Sequence, residues 1–138
     1  MLEWLNPLPG QKVLDVGSGS GWTTALLAHL VGSKGMIYAV ERIPELVKFG
    51  SENCKHLNLG NAKFFEAGKD VGLVKHAPYD RILVSAAADQ LPYELLQQLK
   101  IGGRIVIPIA SNVTVIKKIG DDKYETDTHS GFAFVPLI

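Results

Sequence analysis

Gly17, Gly19 and Gly21 stand two residues apart, between the apolar run Val13-Leu14-Asp15-Val16 and an alanine- and leucine-rich stretch that begins at Trp22. Glycines at such a junction let the backbone take positive φ and leave room for a ligand to come close to the main chain. The spacing departs from the dinucleotide fingerprint, which needs glycines in the first, third and sixth places, because Trp22 takes the sixth. No Lys-Ser/Thr pair follows the glycines, so a P-loop is excluded.

Two carboxylates narrow the ligand. A pyrophosphate held here would meet Asp15 two residues before the first glycine, at a repulsion of about 3 kcal/mol per charge pair for a separation of about 6 Å and an effective dielectric near 20. S-adenosylmethionine reverses the sign: it has no phosphate and carries an ammonium and a sulfonium that a carboxylate attracts. Glu41 lies twenty residues after Gly21 at the end of the next strand-like run, where a carboxylate can accept hydrogen bonds from both ribose hydroxyls. Trp22 is a stacking candidate because it follows Gly21 directly, and Arg42, beside Glu41, is either part of the same site or a solvated charge.

These residues need a scaffold that brings loop ends together. Lys12 to Val16 reads as a strand and Trp22 to Val31 as a helix with Leu26, Leu27, Leu30 and Val31 on its apolar side, stopped by Gly32. Met36 to Glu41 is a second strand, Glu45 to Leu57 a helix entered through Pro44, and Ala62 to Glu66 a third strand. After a polar loop come a fourth strand, Asp80 to Ser85, a short helix, Pro92 to Lys100, closed by Gly102-Gly103, and a fifth strand, Arg104 to Ile109. Strands alternating with helices over short connections predict a doubly wound α/β fold, a mostly parallel sheet with helices on both faces. Val113 to Ile119, Lys123 to Thr128 and Phe132 to Leu137 have no helices between them and are expected as antiparallel strands at one edge. In such sheets ligands sit beyond the carboxyl ends of the strands where strand order reverses, and Gly17 to Gly21 is placed for that.

The 138 residues, 46% of them hydrophobic, suit a single domain spanning 1–138 with a real core. Fourteen basic residues balance fourteen acidic ones, which argues against nucleic-acid and anionic-membrane partners. One cysteine, Cys54, excludes an intrachain disulfide, and the four histidines show no ligand spacing, so no metal is expected. The opening Met1-Leu-Glu-Trp-Leu lacks the basic start of a signal peptide, and no run approaches a membrane span; the expected setting is the cytoplasm.

The run 13–32 (VLDVGSGSGWTTALLAHLVG), Glu41-Arg42-Ile43-Pro44-Glu45-Leu46, the stretch 77–109 (APYDRILVSAAADQLPYELLQQLKIGGRIVIPI) and the closing Phe134-Val135-Pro136-Leu137 resemble the protein-L-isoaspartate O-methyltransferases. The resemblance covers nearly the whole chain. It implies a Rossmann-like methyltransferase fold, S-adenosylmethionine as cofactor, and isoaspartyl-containing peptides or proteins as substrate, methylated on the abnormal carboxylate as a step of protein repair. It further implies that Asp15, Gly17, Ser18, Gly19, Ser20 and Gly21 surround the methionine part of the cofactor and that Glu41 holds the ribose. A carboxylate with pKa near 4 is already the nucleophile at neutral pH, so no general base is required and no catalytic side chain is assigned. Ser85-Ala86-Ala87-Ala88 stands where methylases of nucleic-acid amino groups commonly carry an Asn/Asp-Pro-Pro-aromatic run.

Two departures from the family accompany it. Glu66-Ala67-Gly68-Lys69-Asp70 replaces the usual Gly-Asp-Gly after the third strand, so Asp70 takes the adenine-facing role only if the loop shifts. The family's N-terminal region, with its Ser/Thr-containing motif and much of the substrate pocket, would lie before Met1, and an open carboxyl-end face that binds cofactor with little or no methyl transfer is the expectation. A non-catalytic S-adenosylmethionine-binding module and a small-molecule methyltransferase are the alternative readings.

Overall fold

The computed structural model describes residues 1–131. Its sheet is built from β1 (Lys12–Val16), β2 (Met36–Glu41), β3 (Ala62–Glu66), β4 (Tyr79–Val84), β5 (Leu99–Ile109), β6 (Asn112–Gly120) and β7 (Lys123–His129), in the order β3-β2-β1-β4-β5-β6-β7. The pairs from β3 across to β5 are parallel, whereas β5–β6 and β6–β7 are antiparallel. The chain winds outward from β1 to β3, then returns to β1's other side with β4, so strand order reverses at β1. The doubly wound α/β fold and its antiparallel extension are therefore as expected; the strand read at Phe132 to Leu137 lies outside the described residues.

The helices are α1 (Leu2–Leu5), α2 (Trp22–Val31), α3 (Pro44–His56) and α4 (Tyr93–Gln97), with a 3-10 turn at Val74–His76. Alternate residues of each strand feed opposite faces. On one face Leu5 of α1 and Leu27, Ala28 and Val31 of α2 pack with Val13, Ile37, Leu83 and Val106. On the other, Leu95 and Leu96 of α4 pack with Leu14, Ile82, Val84 and Ile105. Each fully buried Leu, Ile or Val contributes about 1.5–3 kcal/mol relative to exposure.

Two expectations are corrected. The inward face of α2 is Thr24, Leu27, Ala28 and Val31, spaced i, i+3, i+4, i+7, while Leu26 and Leu30 are exposed. Small residues let this helix lie close to the sheet, a reading that counting large apolar side chains misses. The second correction concerns the run after Pro92: α4 ends at Gln97, and Leu99 already pairs with Tyr79 of β4. The Gly102-Gly103 pair, with Gly102 at φ 87°, curls the start of β5 before Arg104 pairs with Arg81; it belongs to an irregular strand, not to a helix end.

Polar side chains fix the ends of these elements. Arg81 Nε donates to the carbonyls of Leu5 and Asn6, at 2.8 and 3.3 Å, and Arg104 Nη1 donates to Trp4 O at 2.8 Å. Two arginines on adjacent strands thus hold the carbonyl end of α1, which has too few residues to be stable alone. Gln98, buried behind α4, donates to Val71 O and accepts from Leu73 N, pinning the loop that follows β3.

Candidate functional site

The site forms where β1 and β4 end side by side, with Val16 in register with Val84 and Ser85 N donating to Val16 O at 3.1 Å. From Val16 the chain turns through Gly17 at φ 80°, a conformation costly for a residue with a Cβ, and Gly17 N and Ser18 N both donate to Val40 O of β2. The turn therefore spans the ends of β1 and β2 and enters α2 through Gly21.

Gly21 has a tertiary reason to be glycine. It sits at φ 86°, and a Cβ there would lie 2.8 Å from the Cα of Gly50 in α3. Around this contact Asn53 Nδ2 donates to Ser20 O at 2.9 Å, and the Cys54 thiol lies 3.9 Å from Gly21 O. Gly50, Asn53 and Cys54 are thus supports of the turn that the sequence did not reveal as a group. The spacing of Gly50 and Cys54 on one helix face was visible, but nothing in it indicates a glycine as the opposing surface. Helical spacing sets Cys54 beside Leu46, Gly50 and Leu57, and of these Leu57 is exposed.

Asp15 is fully buried and accepts a 2.7 Å hydrogen bond from the Thr24 hydroxyl at Oδ2. Its Oδ1 and the hydroxyl of buried Ser18 have no hydrogen-bond partner among the described residues. Burial pushes the Asp15 carboxyl up to about 6; the Thr24 bond opposes this, and the nearby Glu41 charge adds to it. Burial, and then the Asp15 charge, pushes the Cys54 thiol up as well. An acidic acceptor buried with one oxygen unsatisfied is costly unless it meets a donor or a cation.

Glu41 is held differently from the expectation. Its Oε1 accepts from Gly19 N at 3.0 Å, and its Oε2 accepts from the backbone N–H groups of Arg42 and Ile43. Three of the roughly four acceptor positions of a carboxylate are thereby engaged, so the group clasps the glycine turn and keeps about one position for a ligand hydroxyl. The structure gathers Asp15, Gly17, Ser18, Gly19, Ser20, Gly21 and Glu41 around one turn. Trp22 at the start of α2, Arg42 and Asp70 are exposed, and no described contact links any of these three side chains to the turn. Among the described residues no group of three His, Cys, Asp or Glu side chains is placed to hold a metal, and no helix is long and apolar enough to cross a membrane.

The arrangement offers a carboxylate for a cation, backbone close to the ligand, and a second carboxylate for hydroxyls. The family profile described as Protein-L-isoaspartate(D-aspartate) O-methyltransferase (PCMT) matches residues 1–138. The protein-L-isoaspartate O-methyltransferase of Aeropyrum pernix is 46% identical over 143 residues, covering 100% of this chain and 55% of that protein. The Pyrococcus horikoshii enzyme of the same name is 42% identical over 144 residues, covering 100% of this chain and 64% of its own. A solved protein-L-isoaspartate O-methyltransferase superposes with TM-score 0.90 at 27% identity, over 99% of this chain and 44% of that one. The Plasmodium falciparum structure described as a putative enzyme of this kind in complex with S-adenosyl-L-homocysteine gives TM-score 0.81 at 28% identity, over 99% of this chain and 69% of that one. The chain spans a little over half to about two thirds of the length of the curated relatives it matches.

Proposed function

Since the chain belongs to the protein-L-isoaspartate O-methyltransferase family, we propose that residues 1–138 act as one S-adenosylmethionine-binding domain that serves methylation of the carboxylate of L-isoaspartyl residues in proteins. The observation that carries the reading is the pair of buried, unpartnered polar atoms, Asp15 Oδ1 and Ser18 Oγ, on the turn that Glu41 clasps. They suit the amino-acid end of the cofactor, and the remaining acceptor position of Glu41 suits a ribose hydroxyl.

When bound, the cofactor supplies an electrophilic methyl on a sulfonium, whose transfer to a carboxylate oxygen leaves a thioether and a neutral ester with no proton to move. The protein's own part is positioning. Asp15 and Ser18 fix one end of the ligand, the Gly17–Gly21 backbone sets how deeply it sits, and Glu41 ties that backbone to the end of β2. Holding two reactants in line supplies a large share of the rate in such a reaction. The proposal includes a cytoplasmic setting, in which the buried Cys54 thiol stays reduced.

A radiolabelled methyl-transfer assay compares an isoaspartyl peptide with its aspartyl counterpart, alongside calorimetry with S-adenosylhomocysteine and NAD. Binding of S-adenosylhomocysteine and not of NAD, with label at a low level and on the isoaspartyl peptide alone, is the expected result. Cofactor binding without transfer favours the binding-module reading, and NAD binding of equal strength overturns the cofactor assignment.

A further inference from the structure

Thr24 is the one fully buried polar side chain of α2, and nothing in a strand–glycine–helix reading assigns it a role. It lies on the helix's inward face with Leu27, Ala28 and Val31, among buried apolar side chains. Its hydroxyl donates to Asp15 Oδ2 at 2.7 Å, and both residues are 0% exposed. The bond divides the carboxylate into an oxygen held by the protein and an oxygen, Oδ1, that no described group satisfies.

We infer that Thr24 is a positioning residue for ligand binding: by occupying Oδ2 it holds the Asp15 carboxylate ionised and in one rotamer, with Oδ1 reserved for a cationic group on the ligand. The inference rests on the reading that S-adenosylmethionine sits on this turn, and it names the end of the ligand that Thr24 governs, the ammonium-bearing one. The electrostatic surroundings show why a neutral donor is needed. The charged or titratable groups acting on Asp15 are Glu41 on β2 and the Cys54 thiol on α3, neither of which stabilises a buried negative charge. Its partners across the sheet, Ala39 and Leu83, are apolar. Thr24 alone favours the ionised form: a hydrogen bond to the charged state lowers a carboxyl's pKa, and desolvation raises it.

The consequence is a pH threshold for binding that Thr24 sets. Affinity for a cationic ligand falls about tenfold per pH unit once the free carboxylate protonates, in the wild type below about pH 6. Without the hydroxyl that threshold moves up, so the variant binds more weakly than wild type near pH 6 and approaches it at pH 8.5.

The test is calorimetry of wild type, Thr24→Val and Thr24→Ser between pH 5.5 and 8.5, with two ligands. S-adenosylhomocysteine carries the ammonium, and 5′-methylthioadenosine keeps the nucleoside but lacks the whole amino-acid end. The expected result is an upward shift of the S-adenosylhomocysteine profile in Thr24→Val, restoration in Thr24→Ser, and 5′-methylthioadenosine affinity unchanged within about twofold throughout. Thr24→Ala, which removes the hydroxyl with less bulk, serves where thermal melting shows Thr24→Val unfolded. Parallel profiles for wild type and the hydroxyl-less variant, or equal losses for both ligands, overturn the inference and leave Thr24 as packing for α2. A wild type that binds neither ligand overturns the cofactor reading itself, and the inference with it.

Discussion

The buried Asp15 carboxylate should make the ligand-free protein less stable at neutral pH than at mildly acidic pH, and the Asp15→Asn substitution isolates the effect. The folded carboxyl is raised from 3.8 to about 6, and at 1.36 kcal/mol per unit this amounts to about 3 kcal/mol. The sign follows from proton counting. Between about pH 4 and pH 6 the folded state binds the proton and the unfolded state does not, so this group's contribution is fully present below the unfolded value and is lost as pH rises through the folded one. Urea unfolding of both proteins across pH 4 to 7.5 therefore gives a stability difference, wild type minus Asp15→Asn, that falls by most of that amount, about 2.5 kcal/mol, and levels off by about pH 7. Any fixed cost of the asparagine amide cancels, because only the change with pH is read. Saturating S-adenosylhomocysteine should shrink the fall, since a cation against Oδ1 favours the ionised form. Curves that stay parallel from pH 4 to 7.5 would refute the reasoning that burial dominates at Asp15.

Further outcomes follow from the turn and its anchors. Glu41→Ala should weaken S-adenosylhomocysteine by about 1–3 kcal/mol, roughly five- to a hundredfold, and Asp70→Ala by less; calorimetry decides, and a larger loss at Asp70 would place the ligand's polar contacts on the loop after β3. Gly21→Ala adds overpacking of about 1–3 kcal/mol to a positive-φ cost of about 1–2, whereas Gly17→Ala incurs the φ cost alone, because no described residue lies within 4 Å of its Cβ position. Thermal denaturation should rank them in that order. Arg81→Met should cost about 2 kcal/mol and raise hydrogen exchange at the amides of Leu5 and Asn6 before those of β1, and unchanged exchange there would show that α1 is held by Leu5 packing alone.

Sequence and structure agree most where one residue type announces a backbone requirement. The glycine triplet, the strand before it and the carboxylate ending β2 were readable because each marks a local transition: positive φ, alternation, a strand terminus. Misreadings cluster where a contact joins distant elements. Gly50 matters for what it lacks, and its partner Gly21 is twenty-nine positions away. Arg81, Arg104 and Gln98 act on backbone carbonyls and amides, which leave no trace in hydrophobic periodicity. The inward face of α2 was misjudged because Thr24 and Ala28 look less like core than Leu26 and Leu30, although close approach to a sheet favours small side chains. The clasping role of Glu41 was hidden behind its suitability for a ribose, since one carboxylate can do both.

The meeting of Gly21 with Gly50 also decides where this chain can change length. Gly50, Asn53 and Cys54 reach the turn from one side of α3, and each extra residue inserted within that helix between Pro44 and Gly50 would rotate all three by about 100° if the helix's first turn stayed seated. A single insertion there removes all three supports together. The stretch from Gly68 to Asp70 is exposed and makes no such helix-on-turn contact, so added residues there leave α3 in register with the turn. Variation in length among functional variants should accordingly concentrate after β3 and be absent between Pro44 and Gly50.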